Sequence, residues 1–217
     1  MSNCQANHDT HLSMSAKTVL GEIRVFYYPK YMGFNGYCTG QDEVSKSLDV
    51  NGTWDMEIFN RIKTILQEKS DNKKLFVDIG SHIGWFSRLA LLEGCDVECY
   101  EGDSDNIILS KMNAANALHH FVWFDEGVEP TGLKQDIYLM KIDIEGKEEH
   151  AIKYFENSIK AGKVKNIIME VSPIFNGSYP ALVSKLQNYG YQVLRLNGEK
   201  WNGKFDFDQT DLWFRLA

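Results

Sequence analysis

A chain of 217 residues is long enough for one large domain, and 43% hydrophobic against 24% charged residues is an ordinary globular composition, so intrinsic disorder and fibrous architectures are excluded. Thirty acidic side chains against 23 Lys and Arg leave a net charge of -7, which disfavours sequence-independent binding to nucleic acid or to an anionic membrane and favours small or neutral partners. The four cysteines, Cys4, Cys38, Cys95 and Cys99, are too few and scattered for a disulfide framework and suggest a reducing cytoplasm; Cys95-x-x-x-Cys99 lacks the spacing and the following His pair of a zinc site.

Residues 1–11 are polar and carry no signal-peptide pattern, and no apolar run approaches the roughly 20 residues that cross a bilayer, so no membrane role is expected. Within 18–28, Val19, Ile23, Val25 and Tyr27 share one parity, which predicts a strand or hairpin. From Pro29 to Gly52 the chain is rich in Gly, Asn, Ser and Tyr without periodicity and reads as a structured loop. Residues 1–52 are therefore taken as an N-terminal extension and substrate lid ahead of a domain over 53–217. The aromatics of this stretch, Tyr27 to Tyr37, suit a lid and core packing equally. Thr53 is placed to cap a helix that carries Trp54, Ile58, Phe59, Ile62, Ile65 and Leu66 at helical spacing.

Strand and helix alternate from there. Strands are predicted at Leu75–Ile79, 97–100, 121–124, 137–144 and Asn166–Val171, with helices at Trp85–Leu92, 105–117 and 148–159 between them. Pro180 marks the first turn of a further helix, Tyr189-Gly190-Tyr191 closes it into a strand at 192–196, and 211–216 is the last strand. The alternation implies an α/β Rossmann-like fold: a mostly parallel seven-stranded sheet with helices on both faces and the last two strands antiparallel at one edge.

In such a sheet the ligand lies at the carboxyl ends of the strands. The first run ends in Asp78-Ile79-Gly80-Ser81-His82-Ile83-Gly84 and opens directly into a helix. Gly80 allows a tight turn, Gly84 lets the helix approach a ligand closely, and the helix N-terminus offers N–H groups to a carboxylate or phosphate. The G-x-G-x-x-G of a nicotinamide site is absent. Glu101 ends the next strand, about twenty residues further on, where a ribose-binding carboxylate belongs. The pair suits a nucleoside without a pyrophosphate, a description S-adenosylmethionine meets. Ser81 and His82 belong to the same turn; His82 could act as a base, but its place favours cofactor packing or a backbone hydrogen bond. Asp125, after the third strand, could accept from the adenine amino group. His119, His120 and His150 read as structural.

The string from Phe76 to Ser87, Tyr100-Glu101, then Leu139-Met-Lys-Ile-Asp-Ile-Glu-Gly-Lys-Glu148 and Ile168-Met-Glu170 resembles the FkbM family of S-adenosylmethionine-dependent methyltransferases. The resemblance spans residues 47–196 and implies a class I methyltransferase fold and methylation of hydroxyl groups on sugars or other small molecules. The family usually has Asn in place of His82 and Glu-Pro in place of Glu101-Gly102. Asp143 and Glu145, two apart at the end of the fourth strand, would share a side in an extended chain and face the acceptor. Either could take the hydroxyl proton, or two or three carboxylates, with Glu170 as the third, could hold magnesium. The bland alternatives are that Asp143 and Glu145 cap the next helix, that Glu170 is a buried salt-bridge partner, and that Asp78 binds N–H groups of its own turn. Rival functions are an RNA 2'-O-methyltransferase and a non-catalytic nucleoside-binding protein.

Overall fold

The first described element is an antiparallel hairpin, β1 (Ser13–Thr18) and β2 (Gly21–Phe26), in a computed structural model that describes residues 13–26, 42–124, 135–171, 179–205 and 210–217. The hairpin alternative is thus the one realised, with its first strand reaching back into the polar N-terminal residues. Two helices follow, α1 (Glu43–Asn51) and α2 (Met56–Leu66). The first corrects the reading of 43–51 as loop, whereas residues 29–41 of that stretch, with most of its aromatics, lie outside the described residues. Asp42 caps α1 by accepting from the Ser45 N–H, and Gly52, at φ 68°, ends it. It buries only Ser45 and Leu48, which is too narrow an apolar face to leave a periodic signal. Asp55, not Thr53, caps α2, accepting from the Ile58 N–H at 3.0 Å.

The remaining elements alternate: β3 (Leu75–Ile79), α3 (Trp85–Leu92), β4 (Asp96–Glu101), α4 (Ser104–Asn113), β5 (Leu118–Phe121), β6 (Ile137–Ile142), α5 (Glu148–Tyr154), α6 (Glu156–Lys160), β7 (Asn166–Val171), α7 (Tyr179–Asn188), β8 (Tyr191–Arg195) and β9 (Thr210–Leu216). They form one seven-stranded sheet in the order β5-β4-β3-β6-β7-β9-β8. Only β9 runs against its neighbours, pairing antiparallel with β7 and with β8, the outermost strand. β3, β6 and β7 are buried along their whole length, as a parallel sheet covered on both faces requires. The third predicted strand lies three residues early: β5 is a largely exposed edge strand with no apolar pattern, and the run Phe121 to Phe124 that suggested a strand mostly follows it.

Pleating divides the core. Phe76, Leu139 and Ile168 face α2 and α3, whereas Val77, Ile79, Met140 and Ile142 face α5 to α7. Val25 of the hairpin and Leu48 of α1 join the first cluster, and Asn113 on α4 bonds both the Phe26 backbone and the Ile83 carbonyl. The N-terminal elements therefore pack into the same core as the glycine turn. Among the described residues no helix is long and apolar enough to cross a membrane.

The chain runs outward from β3 through β4 to β5, then returns to place β6 on the other side of β3. This reversal opens a crevice at the carboxyl ends of β3 and β6, where a ligand has least backbone to displace.

Candidate active site

The two strand ends at the crevice are bound to one another. Gly80 and Ser81 donate N–H to the Tyr100 carbonyl at 2.9 and 3.2 Å, and the Asp143 N–H donates to the Ile79 carbonyl at 3.0 Å. Gly80 has φ 75°, and a Cβ there would lie 1.8 Å from the Asp143 carbonyl oxygen, so no side chain fits. His82 also sits in the left-handed region, at φ 48°, a conformation that the family's Asn would tolerate for the same reason. Its N–H donates to Glu101 at 2.7 Å, while the other Glu101 oxygen accepts from the Asp103 N–H at 2.8 Å. Glu101 is thus the clamp that shapes the turn, and each of its oxygens keeps lone-pair capacity for a further donor. The His82 ring lies 3.9 Å from the Asp42 carboxylate, which brings the N-terminus of α1 over the turn.

Across the crevice, β6 stops at Ile142 and the next residues turn sharply, with Glu145 at φ 53° and Gly146 at φ 92°. Glu148, 1% exposed, accepts from the N–H groups of Ile144 and Gly146, both at 3.2 Å, and from the Tyr179 hydroxyl at 2.6 Å. Neither Asp143 nor Glu145 caps α5, whose N-cap, Lys147, makes no side-chain cap bond. Turn geometry, not strand pleat, brings oxygens of Asp143, Glu145 and Glu170 within 4.8 Å of one another.

Their proton affinities differ because their neighbours differ. Burial alone would raise Asp143, but the Lys141 ammonium 3.2 Å away and hydrogen bonds from Glu170 and Lys141 hold it below the usual range. Burial and the bond to Asp143 push Glu170 far up, so it keeps its proton at neutral pH and donates it to Asp143. Glu145 is exposed at the cavity and is raised by partial burial and by the charges of Asp143 and Glu148. Asp211, the register partner of Glu170, is pushed up to about 7 by burial and by Asp55 and Asp143.

Between the two strand ends lies a cavity of about 890 Å³. Its walls include Gly80, Ser81, His82, Glu101 and Trp123 together with Trp54, Asp55, Phe86, Glu145 and Glu170. Trp123 is 65% exposed, and a Cβ on Gly102 would fall 2.4 Å from its ring; the glycine that stands where the family has Pro is what lets the indole lie against the backbone.

Residues 123–193 match a family model described as the methyltransferase FkbM domain. The matched segment contains the Leu139 to Glu148 and Ile168 to Glu170 strings on which the resemblance rests. No curated protein sequence matches the chain. Similar solved structures include a TehB-like SAM-dependent methyltransferase from Corynebacterium glutamicum, 11% identical, covering 79% of this chain and 94% of that one with a TM-score of 0.54. A magnesium protoporphyrin IX methyltransferase from Synechocystis is 11% identical over 81% of this chain and 85% of its own, with a TM-score of 0.53. Precorrin-6y C5,15-methyltransferase from Geobacter metallireducens is 14% identical over 88% and 100%, also with a TM-score of 0.53. At such identities the likeness is one of fold, and the fold is that of class I methyltransferases.

The expected site residues separate into three groups. Gly80, Ser81, His82, Glu101, Asp143, Glu145 and Glu170 all line the cavity. Asp78 and Gly84 do not. Asp78 is fully buried beneath the turn, where it accepts from the Ser87 hydroxyl at 2.5 Å and faces Lys141 and not the N–H groups of its own turn. Gly84 makes room for Ser110 on α4, 2.8 Å from where its Cβ would be, not for a ligand. Asp125 lies outside the described residues. Lys141, Glu148 and Trp123 were not singled out from sequence, although the first two stand in the Lys-Ile-Asp-Ile-Glu-Gly-Lys-Glu string that carries the resemblance.

Magnesium finds no support at the three carboxylates. A dication wants ionised oxygen ligands, whereas Asp143 is already paired with an ammonium and Glu170 holds a proton. Glu148→Gln is expected to cost about 1–3 kcal/mol, because one of three buried donors loses a charged acceptor. Urea denaturation measures it, and an unchanged midpoint would show that the 143–147 turn does not depend on this carboxylate.

Proposed function

We propose that the protein transfers a methyl group from S-adenosylmethionine to a hydroxyl on a small molecule or sugar. What carries the reading is the joining of a nucleoside-shaped end and an acid-lined acceptor end in one cavity, with Glu101 at the first and Glu145 at the second. When bound, the cofactor supplies an activated methyl on a sulfonium. Glu101 would accept from the ribose hydroxyls with its remaining lone pairs, and Trp123 would give the adenine a flat apolar face. Helix α1 and the Trp54-Asp55 corner would wall the acceptor and limit water.

An alcohol must lose its proton as the new bond to oxygen forms, and Glu145 is the carboxylate disposed to receive it. Among the described residues it has no ion pair at contact distance, it sits at the cavity wall, and burial and like charges raise its affinity for a proton. Asp143 is held by Lys141, and Glu170 is already protonated. An RNA acceptor would bring phosphates against Asp42, Asp55, Asp103 and Glu145, which the acidic wall opposes. A purely nucleoside-binding role loses its main argument, since Asp143 and Glu145 cap no helix.

A thermal-shift series with S-adenosylmethionine, S-adenosylhomocysteine and NAD tests the cofactor: Tm should rise with the first two and stay put with NAD. Transfer of labelled methyl to a panel of sugars and small alcohols, with RNA alongside, tests the acceptor. Label in RNA alone would overturn the hydroxyl small-molecule reading. Glu101→Ala should weaken S-adenosylhomocysteine binding by about 1.5–3 kcal/mol, or roughly ten- to hundredfold, through lost ribose bonds and a loosened His82 turn. Calorimetric titration reads this directly, and equal affinity would remove Glu101 from the site.

A further inference from the structure

Lys141 is a cation enclosed in the sheet. Its side chain is 3% exposed, and its ammonium reaches two acceptors, the Gly80 carbonyl at 3.3 Å and Asp143 at 3.2 Å, with the Asp78 carboxylate at ion-pair distance, 3.8 Å away. The Phe86 ring closes another side, 5.3 Å from Nζ to its centre. Asp78 is anchored in turn from α3 and β4, since the Ser87 hydroxyl donates to it and the Cys99 thiol donates to Ser87 at 3.1 Å. Asp78, Cys99 and Lys141 are register partners on adjacent strands and face α3, so the sheet itself aligns this row. From Lys141 the contacts continue through Asp143 to Glu170 at the cavity wall.

We propose that Lys141 is a positioning residue: its ammonium ties the carbonyl of the glycine turn to the acceptor-side acids, fixes the negative charge of the Asp143 and Glu170 pair on Asp143, and leaves Glu145 as the carboxylate free to take a proton. The titratable groups that face Lys141 and its row are Asp78 from β3, His82 from the turn after it, Glu101 from β4, Glu145 beyond β6, Glu170 from β7 and Asp211 from β9. None of these is a permanent cation and Lys141 is, so it decides which of the acids stays ionised. A buried ion pair with Asp78 alone would be a structural device of no consequence for the site. What sets Lys141 apart from that is its shorter contact to Asp143 at the cavity wall and its bond to the cofactor turn. The consequence for turnover rests on the methyl-transfer reading of the cavity, whereas the placement of charge does not.

Carboxyl 13C NMR titration of the folded protein, with signals assigned through Asp143→Asn and Glu170→Gln, tests the charge placement. In the wild type at pH 7, Asp143 should be ionised and Glu170 protonated; any other distribution overturns the proposal. Removing the ammonium together with its deeper partner, as Lys141→Met with Asp78→Asn, avoids leaving an uncompensated charge in the core. In that variant the Asp143 midpoint should climb by at least about one pH unit, a tenfold gain in proton affinity, and Lys141→Arg should hold it near the wild-type value. An unmoved midpoint in the double variant would mean that Lys141 is only a structural ion pair. Should the double variant fail to fold, the wild-type distribution and the Lys141→Arg titration decide alone. S-adenosylhomocysteine titration of the wild type separates the two readings: no binding there strikes the proposed function and leaves the charge assignment to its own spectra.

Discussion

Glu145→Gln is expected to lower kcat by about a hundred- to ten-thousandfold, the usual contribution of a positioned general base, with S-adenosylhomocysteine affinity unchanged. The expectation comes from sorting three neighbouring carboxyls by what they already hold. Asp143 is tied to an ammonium and to the proton on Glu170, so it is a weak base however close it lies to an acceptor. Glu145 has no cation of its own and lies on a strained turn at φ 53°, a conformation that β-region residues do not reach and that aims its side chain independently of the strand pleat. Gln keeps the size and the turn while removing the basic oxygen. Because the like-charge repulsion with Asp143 disappears, the variant should be no less stable than the parent. Steady-state methyl transfer with any acceptor found in the labelled-methyl screen provides the measurement. Turnover at the wild-type rate would exclude Glu145 as the base and return attention to Asp143.

Gly80→Ala should be the most damaging single change to the scaffold, costing on the order of 4 kcal/mol or more. Two effects combine. An alanine at φ 75° is strained by about 1–2 kcal/mol wherever it occurs. At Gly80 the added methyl would also fall 1.8 Å from the Asp143 carbonyl oxygen, a backbone atom that cannot swing aside without parting β3 from β6. Gly94 separates these effects, for it has φ 80° and nothing within 4 Å of its Cβ position. Gly94→Ala should therefore show the conformational strain alone. Urea unfolding of the two variants side by side measures the difference; if both lose the same stability, the close approach of the two strand ends contributes nothing. A partly folded Gly80→Ala protein should also fail to bind S-adenosylhomocysteine, since the turn and the acceptor acids are joined through this contact.

Much of this arrangement was legible in the residues. Strands β3, β6 and β7 each leave an apolar run, and the glycine turn after Ile79 and the acid ending β4 are local patterns whose meaning depends on backbone conformation within a few residues. Helix α1 was not legible, because a helix that buries one leucine has no stripe to detect. The edge strand β5 was misplaced for the matching reason: with one side of its ladder open it needs no apolar alternation, and the apolar residues just beyond it are there to wall a cavity. Asp78 looked like a ligand from its place at a strand end, yet parity turns it under the turn toward Ser87 and Lys141.

The sequence by itself determined the fold class and the alternation of strands and helices from β3 onward, since periodicity and turn chemistry are properties of neighbouring residues. Only the tertiary structure decided which acid holds charge, which holds a proton and which is free. Proton affinity depends on groups brought within a few ångströms by β3, β6, β7 and β9, and those strands meet only when the sheet is assembled.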